Sequence, residues 1–238
     1  MTILLNENQN GSPNMEDYGR YFHARTSDMQ GGSVVCAAVA DGVSTRSAST
    51  CVSRRAVVLL FEALTAFLFE DGLFGLSPED WQARARAWCG QVIQQRVNPA
   101  LRAQFEGIPI GTTLTFALIR DNFVVVTSCG DSPAYCVDSE NCLHLLLPLD
   151  REPGSANVLT QCLGALDSDA LHPRVTTFTA QRGERLLLGS DGAFGTLSQE
   201  RVLELAGLDT DLYDAGRQVT QYAAETTLDN QTLILIEL

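Results

Sequence analysis

Short apolar runs closed by glycine and aspartate punctuate this chain. Leu186-Leu187-Leu188 runs into Gly189-Ser190-Asp191-Gly192, Val35 to Ala40 into Asp41-Gly42, and Val124 to Cys129 into Gly130-Asp131. Runs of this length bounded by turn residues predict strands whose two faces are both covered. Thr112 to Ile119 and Phe123 to Cys129 flank Asp121-Asn122 and predict a hairpin. Ala134 to Val137 and Cys142 to Leu147, around Asp138 to Asn141, predict a second. Further strands are expected at Arg20 to Ala24, Val175 to Phe178 and Thr232 to Ile236, and residues 6–19 read as polar and glycine-rich.

Longer segments carry helical patterning. Ala48 to Asp71 is apolar enough to lie against a sheet, and the serines of Val43-Ser44-Thr45-Arg46-Ser47 are candidate caps for it. Ser77-Pro78-Glu79-Asp80 combines a cap residue, an early proline and first-turn acids. It predicts a second helix that runs to about Val97 and ends at Asn98-Pro99. Trp81 and Trp88, seven apart on that helix, share one face and read as packing residues. A short helix is expected from Val158 to Leu163, another from a Ser198 cap to Ala206, and a third from Asp211 to Glu225. Helices, then a block of antiparallel strands, then helices and a last strand predict a layered α+β fold rather than a βαβ repeat. A chain of 238 residues accommodates this as one domain with a well-buried core.

Composition narrows the function classes. A hydrophobic content of 45% is that of a globular chain. The longest apolar candidate for a membrane span, Ala56 to Phe69, is broken by Glu62 and Thr65. Met1 to Glu7 has neither a basic region nor a cleavage signal, so a cytoplasmic location is expected. The seven cysteines are then reduced, and Cys36, Cys129, Cys136 and Cys162 fall inside apolar patterns without zinc spacing. A net charge of −13 argues against a nucleic-acid partner. The chain has no lysine, which excludes a P-loop lysine and Schiff-base chemistry.

The candidate chemistry lies in the carboxylates that close the strands. Taken alone, any one of Asp41, Asp131, Asp191 and Asp229 reads first as a turn residue closing a strand. Four of them at strand edges point to a shared acidic site, and such a site suits hard divalent cations. Glu16-Asp17, just before the Arg20 strand, reads alone as a solvated acidic pair. His23, His144 and His172 have no ligand spacing and read as structural.

Six motifs in order carry a resemblance: Asn14-Met15-Glu16-Asp17, Val39-Ala40-Asp41-Gly42, Gly111-Thr112-Thr113, Gly130-Asp131-Ser132-Pro133-Ala134-Tyr135, Ser190-Asp191-Gly192 and Asp229-Asn230-Gln231-Thr232. Together they resemble the metal-dependent protein phosphatases of the PP2C (PPM) family, bacterial type, over nearly the whole chain. Gly164, in Gln161-Cys162-Leu163-Gly164, matches the Leu-Gly that follows the family's flap. The resemblance implies one domain over residues 1–238, a four-layer αββα sandwich with its metal site at one end, and a flap near 148–157. It implies two Mn²⁺ or Mg²⁺ ions: Asp41 bridging them, Asp191 and Asp229 completing one, Glu16 and the carbonyl of Gly42 serving the other, and Asp17 holding metal-bound water. Asp131 with Asp191 matches the place of a third, weaker ion. The reaction implied is hydrolysis of phosphoserine or phosphothreonine by direct attack of a metal-bridging hydroxide, with Asp41, Asp191 and Asp229 as the catalytic set. The partner implied is a phosphorylated protein. It is either the target of a Ser/Thr kinase or, as in the related stage II sporulation E branch, an anti-sigma-factor antagonist.

The chain departs from that pattern in the residues that would meet substrate. Ser12 stands where the family usually has a phosphate-binding arginine, and Asn8 to Pro13 contains no base. Arg20, Arg25 and Arg46 are the candidate replacements. Gly130-Asp131-Ser132 is followed by Pro133 where the family has arginine, the turn after Asp41 lacks the family's histidine, and the flap is short. A catalytically weak or inactive pseudophosphatase, serving as a binding or regulatory module, is the competing expectation.

Overall fold

The computed structural model describes residues 1–12, 14–25, 33–43, 46, 48–70, 76–155 and 158–238, the side chains of Arg25 and Glu70 excepted. In chain order the strands are β1 (Thr2–Asn8), β2 (Asp17–Arg25), β3 (Ser33–Asp41), β4 (Leu114–Arg120), β5 (Phe123–Cys129), β6 (Ala134–Val137), β7 (Leu143–Leu145), β8 (Arg174–Thr179), β9 (Arg185–Gly189) and β10 (Gln231–Glu237). The helices are α1 (Ser49–Glu70), α2 (Pro78–Val92), α3 (Asn98–Gln104), α4 (Asp191–Phe194), α5 (Gln199–Ala206) and α6 (Leu212–Thr226). One five-stranded sheet has the order β1-β10-β9-β6-β7 and the other β2-β3-β4-β5-β8. All neighbouring strands run antiparallel.

The two-residue period of a strand explains the unbroken apolar runs. In β3, Val35, Ala37 and Val39 join Ile119, Val126, Leu186, Leu188, Ile234 and Ile236 in the layer between the sheets. The alternate residues Val34, Cys36, Ala38 and Ala40 face outward, against Val52, Ala56, Leu60 and Trp81 of α1 and α2. On the far side Leu187, Leu233 and Leu235 point away from the inter-sheet core, toward Phe194, Val202, Leu205 and Val219 of α4, α5 and α6. Three apolar layers between four tiers of structure make the expected αββα sandwich. Trp88 stacks on Phe67 with ring centroids 4.7 Å apart, and Trp81 meets Phe123 edge-on at 6.0 Å, so both tryptophans are packing residues.

Several elements depart from the sequence reading, each for a local reason. Strand β1 carries no strand pattern in the sequence because its second half, Asn6-Glu7-Asn8, is polar; as an edge strand it pairs only with β10. β2 starts earlier than Arg20, at Asp17. Asn98-Pro99 does not end the second helix: a π-helical turn, Ile93–Val97, leads into α3, with Pro99 in its first turn where no backbone donor is needed. Val158 to Leu163 is not helical. Leu159 bridges Arg151 and Leu163 bridges Thr112, which sews the flap region to the sheet ends. The caps at Ser77, Ser198 and Asp211 form as expected. Ser44 and Ser47, the candidate caps of α1, lie outside the described residues.

Candidate active site

Strand ends bring the carboxylates together. Asp17 opens β2 and Asp41 closes β3, and the two are directly opposed in register. Asp191 follows β9 at the first turn of α4. Ser190 ties this turn to β10: its N–H donates to Thr232 O at 2.9 Å and its Oγ accepts from the Thr232 N–H at 3.1 Å. The same tie holds Asp229 and Asn230 beside Asp191. Asn230 reaches across to Glu16, accepting its N–H at Oδ1 over 2.6 Å, and donates to Gln9 O at 3.0 Å. The Asp41 carboxyl lies close enough to Asp17 and Asp191 for their charges to act on it. The carboxylates named from the sequence therefore share one end of the sandwich.

The glycines beside them are there for space. A Cβ on Gly42 would lie 2.6 Å from Ser49 O, and one on Gly192 would lie 1.8 Å from Asn230 O. Neither glycine has a positive φ, so the Asp-Gly pairs at Asp41 and Asp191 are close-packing sites and not left-handed turns. Gly42 N–H donates to Glu16 O at 3.1 Å, and Ser49 Oγ donates to Glu16 Oε1, which fixes Glu16 against the start of α1.

The threonines of Gly111-Thr112-Thr113 hold Asp41 from behind. Asp41 N–H donates to Thr113 Oγ1 at 2.9 Å, and Asp41 O accepts from Thr112 Oγ1 at 2.9 Å and from Thr113 N–H at 2.8 Å. Thr113 Oγ1 in turn pairs with Ser132 Oγ at 2.7 Å. Two of the motifs thus support the main chain of a third and leave its carboxylate free to face the site.

Electrostatics at this end are unfavourable without a cation. Burial pushes Asp17 up to about 7; hydrogen bonds from Ser190 and Asp41 oppose that rise, and the charges of Asp191 and Asp229 add to it. Asp41 is held well above the usual carboxylate range by burial and by Asp17 and Asp191. Asp229 is raised by burial and by Asp191. Carboxyls crowded in this way resist ionisation, and a bound cation would reverse the preference. Asp17 Oδ2 is buried with no hydrogen-bond partner, an orphaned acceptor next to Asp41. Among the described residues no three acidic, histidine or cysteine side chains surround a single point; the carboxylates meet in pairs. Pairs of oxygen donors suit ions that keep several waters.

Two further residues, Asp150 and Arg151, lie at this end of the sandwich without a motif to mark them. Arg151 Nε donates to Asp131 Oδ2 at 2.6 Å, and its Nη2 lies 3.6 Å from Asp191 Oδ2. Asp131 is raised by burial and by Asp191 while Arg151 pulls it back. Asp150 is fully buried and accepts from Gly130 N–H at 3.0 Å, Gln161 Nε2 at 3.1 Å and Arg174 Nε at 2.9 Å. Its own N–H donates to Gly130 O at 3.0 Å, so the base of the flap is stapled to the turn that carries Asp131. The only sequence signal was an Asp-Arg pair at the edge of the expected flap.

The three arginines proposed to replace a base at Ser12 are placed differently. Arg20 pairs with Glu7 at 3.0 Å and lies 4.4 Å over the Tyr18 ring. Arg46 is exposed beside Gly111, and its charge reaches Cys162. The side chain of Arg25 lies outside the described residues. His144 forms an exposed pair with Asp138 at 2.6 Å on the second hairpin.

A family model for protein phosphatase 2C matches residues 8–232. Protein phosphatase PhpP of Streptococcus pneumoniae is 27% identical over 146 residues, 54% of this chain and 58% of that protein. The chain thus spans well under two thirds of the length of the curated relatives it matches. Among solved structures, a bacterial serine phosphatase superposes with a TM-score of 0.79 at 21% identity, covering 99% of this chain and 96% of that one. Serine/threonine phosphatase Stp1 from Staphylococcus aureus gives 0.77 at 20% identity over 99% and 94%. PppA of Pseudomonas aeruginosa, described as a key regulatory component of T6SS, gives 0.71 at 20% identity over 100% and 97%.

Proposed function

Because the chain belongs to the protein phosphatase 2C family, we propose that it hydrolyses phosphoserine and phosphothreonine in proteins with Mn²⁺ or Mg²⁺ bound at the acidic end of the sandwich. The observation that carries this reading is the crowding of Asp17, Asp41, Asp191 and Asp229, all oxygen donors, with an orphaned buried oxygen on Asp17. In this proposal Asp41, Asp191 and Asp229 would hold one ion, and Asp41, Glu16 and the Gly42 carbonyl would hold the other. Asp17 orients water, and Asp131 with Asp191 is the place for a third ion. A bound pair of such ions supplies an activated water and a clamp on the phosphoryl oxygens.

The chain's own residues contribute position and a rigid frame. Thr112, Thr113 and Ser132 keep Asp41 in place through its main chain, so its carboxylate needs no reorganisation when charge develops. Asn230 and Ser190 lock the Asp229 and Asp191 turns to each other and to Glu16. The buried cysteines are poor nucleophiles: burial pushes up the thiols of Cys36, Cys89, Cys129 and Cys136.

The partner proposed is a phosphorylated protein opposing a Ser/Thr kinase, favoured over an anti-sigma-factor antagonist because the Gly130-Asp131-Ser132 element is retained. No described helix is long and apolar enough to cross a membrane, and the charge of −13 disfavours nucleic acid. The proposed reaction space is tested with phosphoserine, phosphothreonine and phosphotyrosine peptides beside small phosphate monoesters, in Mn²⁺. Preference for the first two classes is expected. Turnover of small monoesters without any phosphopeptide would overturn the protein-phosphatase reading.

A further inference from the structure

Arg151 sits where the acidic end would otherwise carry two uncompensated carboxylates. Its guanidinium spans Asp131 at 2.6 Å and Asp191 at 3.6 Å. The contact is well withdrawn from water, with the Arg151 side chain 22% and the Asp131 side chain 7% exposed. Charge pairs in such surroundings are screened far less than surface pairs. The arginine is also aimed. Its neighbour Asp150 is bonded through both main chain and side chain to Gly130, one residue from Asp131, and Arg151 itself bridges Leu159. The residue that supplies the cation and the residue that receives it are therefore held on one stapled unit.

Resting on the metal-site reading above, we propose that Arg151 is the resident counter-ion of the Asp131–Asp191 pair and competes with a divalent cation for it. The guanidinium already occupies the Asp131 and Asp191 oxygens that a divalent ion would need, and it would repel that ion at close range. The ion must displace the arginine, so its apparent affinity is reduced by the fraction of molecules in which the pair is already occupied. The chain accordingly holds two ions tightly and takes a third only when Arg151 swings out. Asp17, Asp41 and Asp229 form no ion pair among the described residues, so Arg151 touches their side of the site only through the longer Asp191 contact.

The test is a Mn²⁺ titration of the full chain, followed by calorimetry and by the electron paramagnetic resonance of free Mn²⁺, for wild type, Arg151→Ala and Arg151→Gln. Two tight equivalents are expected for wild type. Both variants are expected to bind a third at least tenfold more tightly than wild type does, and adding Asp131→Asn to either should abolish that gain. The glutamine variant preserves most of the side-chain volume and guards against a folding defect in the alanine variant. Unchanged stoichiometry and affinity in both variants would overturn the inference and leave the two-ion reading standing. Absence of Mn²⁺ binding to all three proteins would overturn both.

Discussion

Two sides of the same acidic end solve the problem of crowded carboxylates in different ways. On one side Asp17, Asp41 and Asp229 press against each other, and no ion pair relieves them among the described residues. On the other, Asp131 and Asp191 share Arg151, and Asp150 beside it is satisfied by Gly130, Gln161 and Arg174. The first side is crowded with carboxylates that, on the proposed reading, an external cation would relieve; the second carries its own. Burial of a carboxylate is thus destabilising at Asp41 and stabilising at Asp150.

The sharpest way to break this contrast is Asp41→Asn. A bound metal pair supplies several kcal/mol of charge stabilisation, so Mn²⁺-dependent phosphatase activity is expected to fall by about 10³-fold or more. The metal-free protein should nonetheless melt higher, because a repelling charge is gone; about 1 kcal/mol corresponds to roughly 2–4 °C in a chain of this size. Scanning calorimetry in EDTA reads the sign, and a lower melting temperature would contradict the account.

The opposite sign is expected at Asp150. Asp150→Ala leaves the Gly130 N–H without its acceptor and should cost about 1–3 kcal/mol of stability. Asp150→Asn keeps an acceptor there and should cost less. Chemical denaturation of both variants compares them directly.

A pH series sharpens the comparison further. Asp17, raised to about 7, binds protons in the folded chain that the unfolded chain has already released above about 4. With more protons bound in the folded state, stability falls as pH rises between these values, and Asp41, Asp131 and Asp229 act in the same direction. Metal-free protein is therefore expected to lose melting temperature from pH 4 toward about 7, and saturating Mn²⁺ should abolish most of that slope. A metal-free protein that gains stability over this range would show that the crowding is relieved in some other way.

The smallest effect is expected at Arg20→Ala. Arg20 and Glu7 form a solvent-facing pair, and such pairs contribute roughly 0–1 kcal/mol. KM for a phosphopeptide should not move, because Arg20 lies on the edge strands and not among the carboxylates. A large rise in KM would restore Arg20 as the substitute for the base missing at Ser12.

How far the sequence could be read depends on where the information sits. Strands β3, β9 and β10 are buried on both faces over Val34 to Ala40, Leu186 to Leu188 and Leu233 to Ile236, so these stretches are apolar throughout and the first two end sharply before Asp41 and Asp191. The same sharpness made the acidic end visible, because an aspartate after such a run is conspicuous. β1 escaped notice because Asn6 and Glu7 take part in it through contacts far along the chain, with Thr220 and Gly19. The continuation past Pro99 depends on Asn98, whose side chain bonds Leu166 O, Ser168 Oγ and Gly164 N–H, partners more than sixty residues away. Asp150 and Arg151 belong to the same class: their roles come from a flap folded back onto Gly130 and Asp131, which no local pattern encodes.

The most direct measurement is hydrolysis of p-nitrophenyl phosphate by the purified chain in Mn²⁺, repeated in EDTA and with an Asp191→Asn variant shown to be folded. Turnover that requires Mn²⁺ and disappears in both controls is the predicted result. No turnover at any Mn²⁺ concentration, or equal turnover by the variant, would contradict the assignment of the acidic end as a metal-dependent phosphatase site.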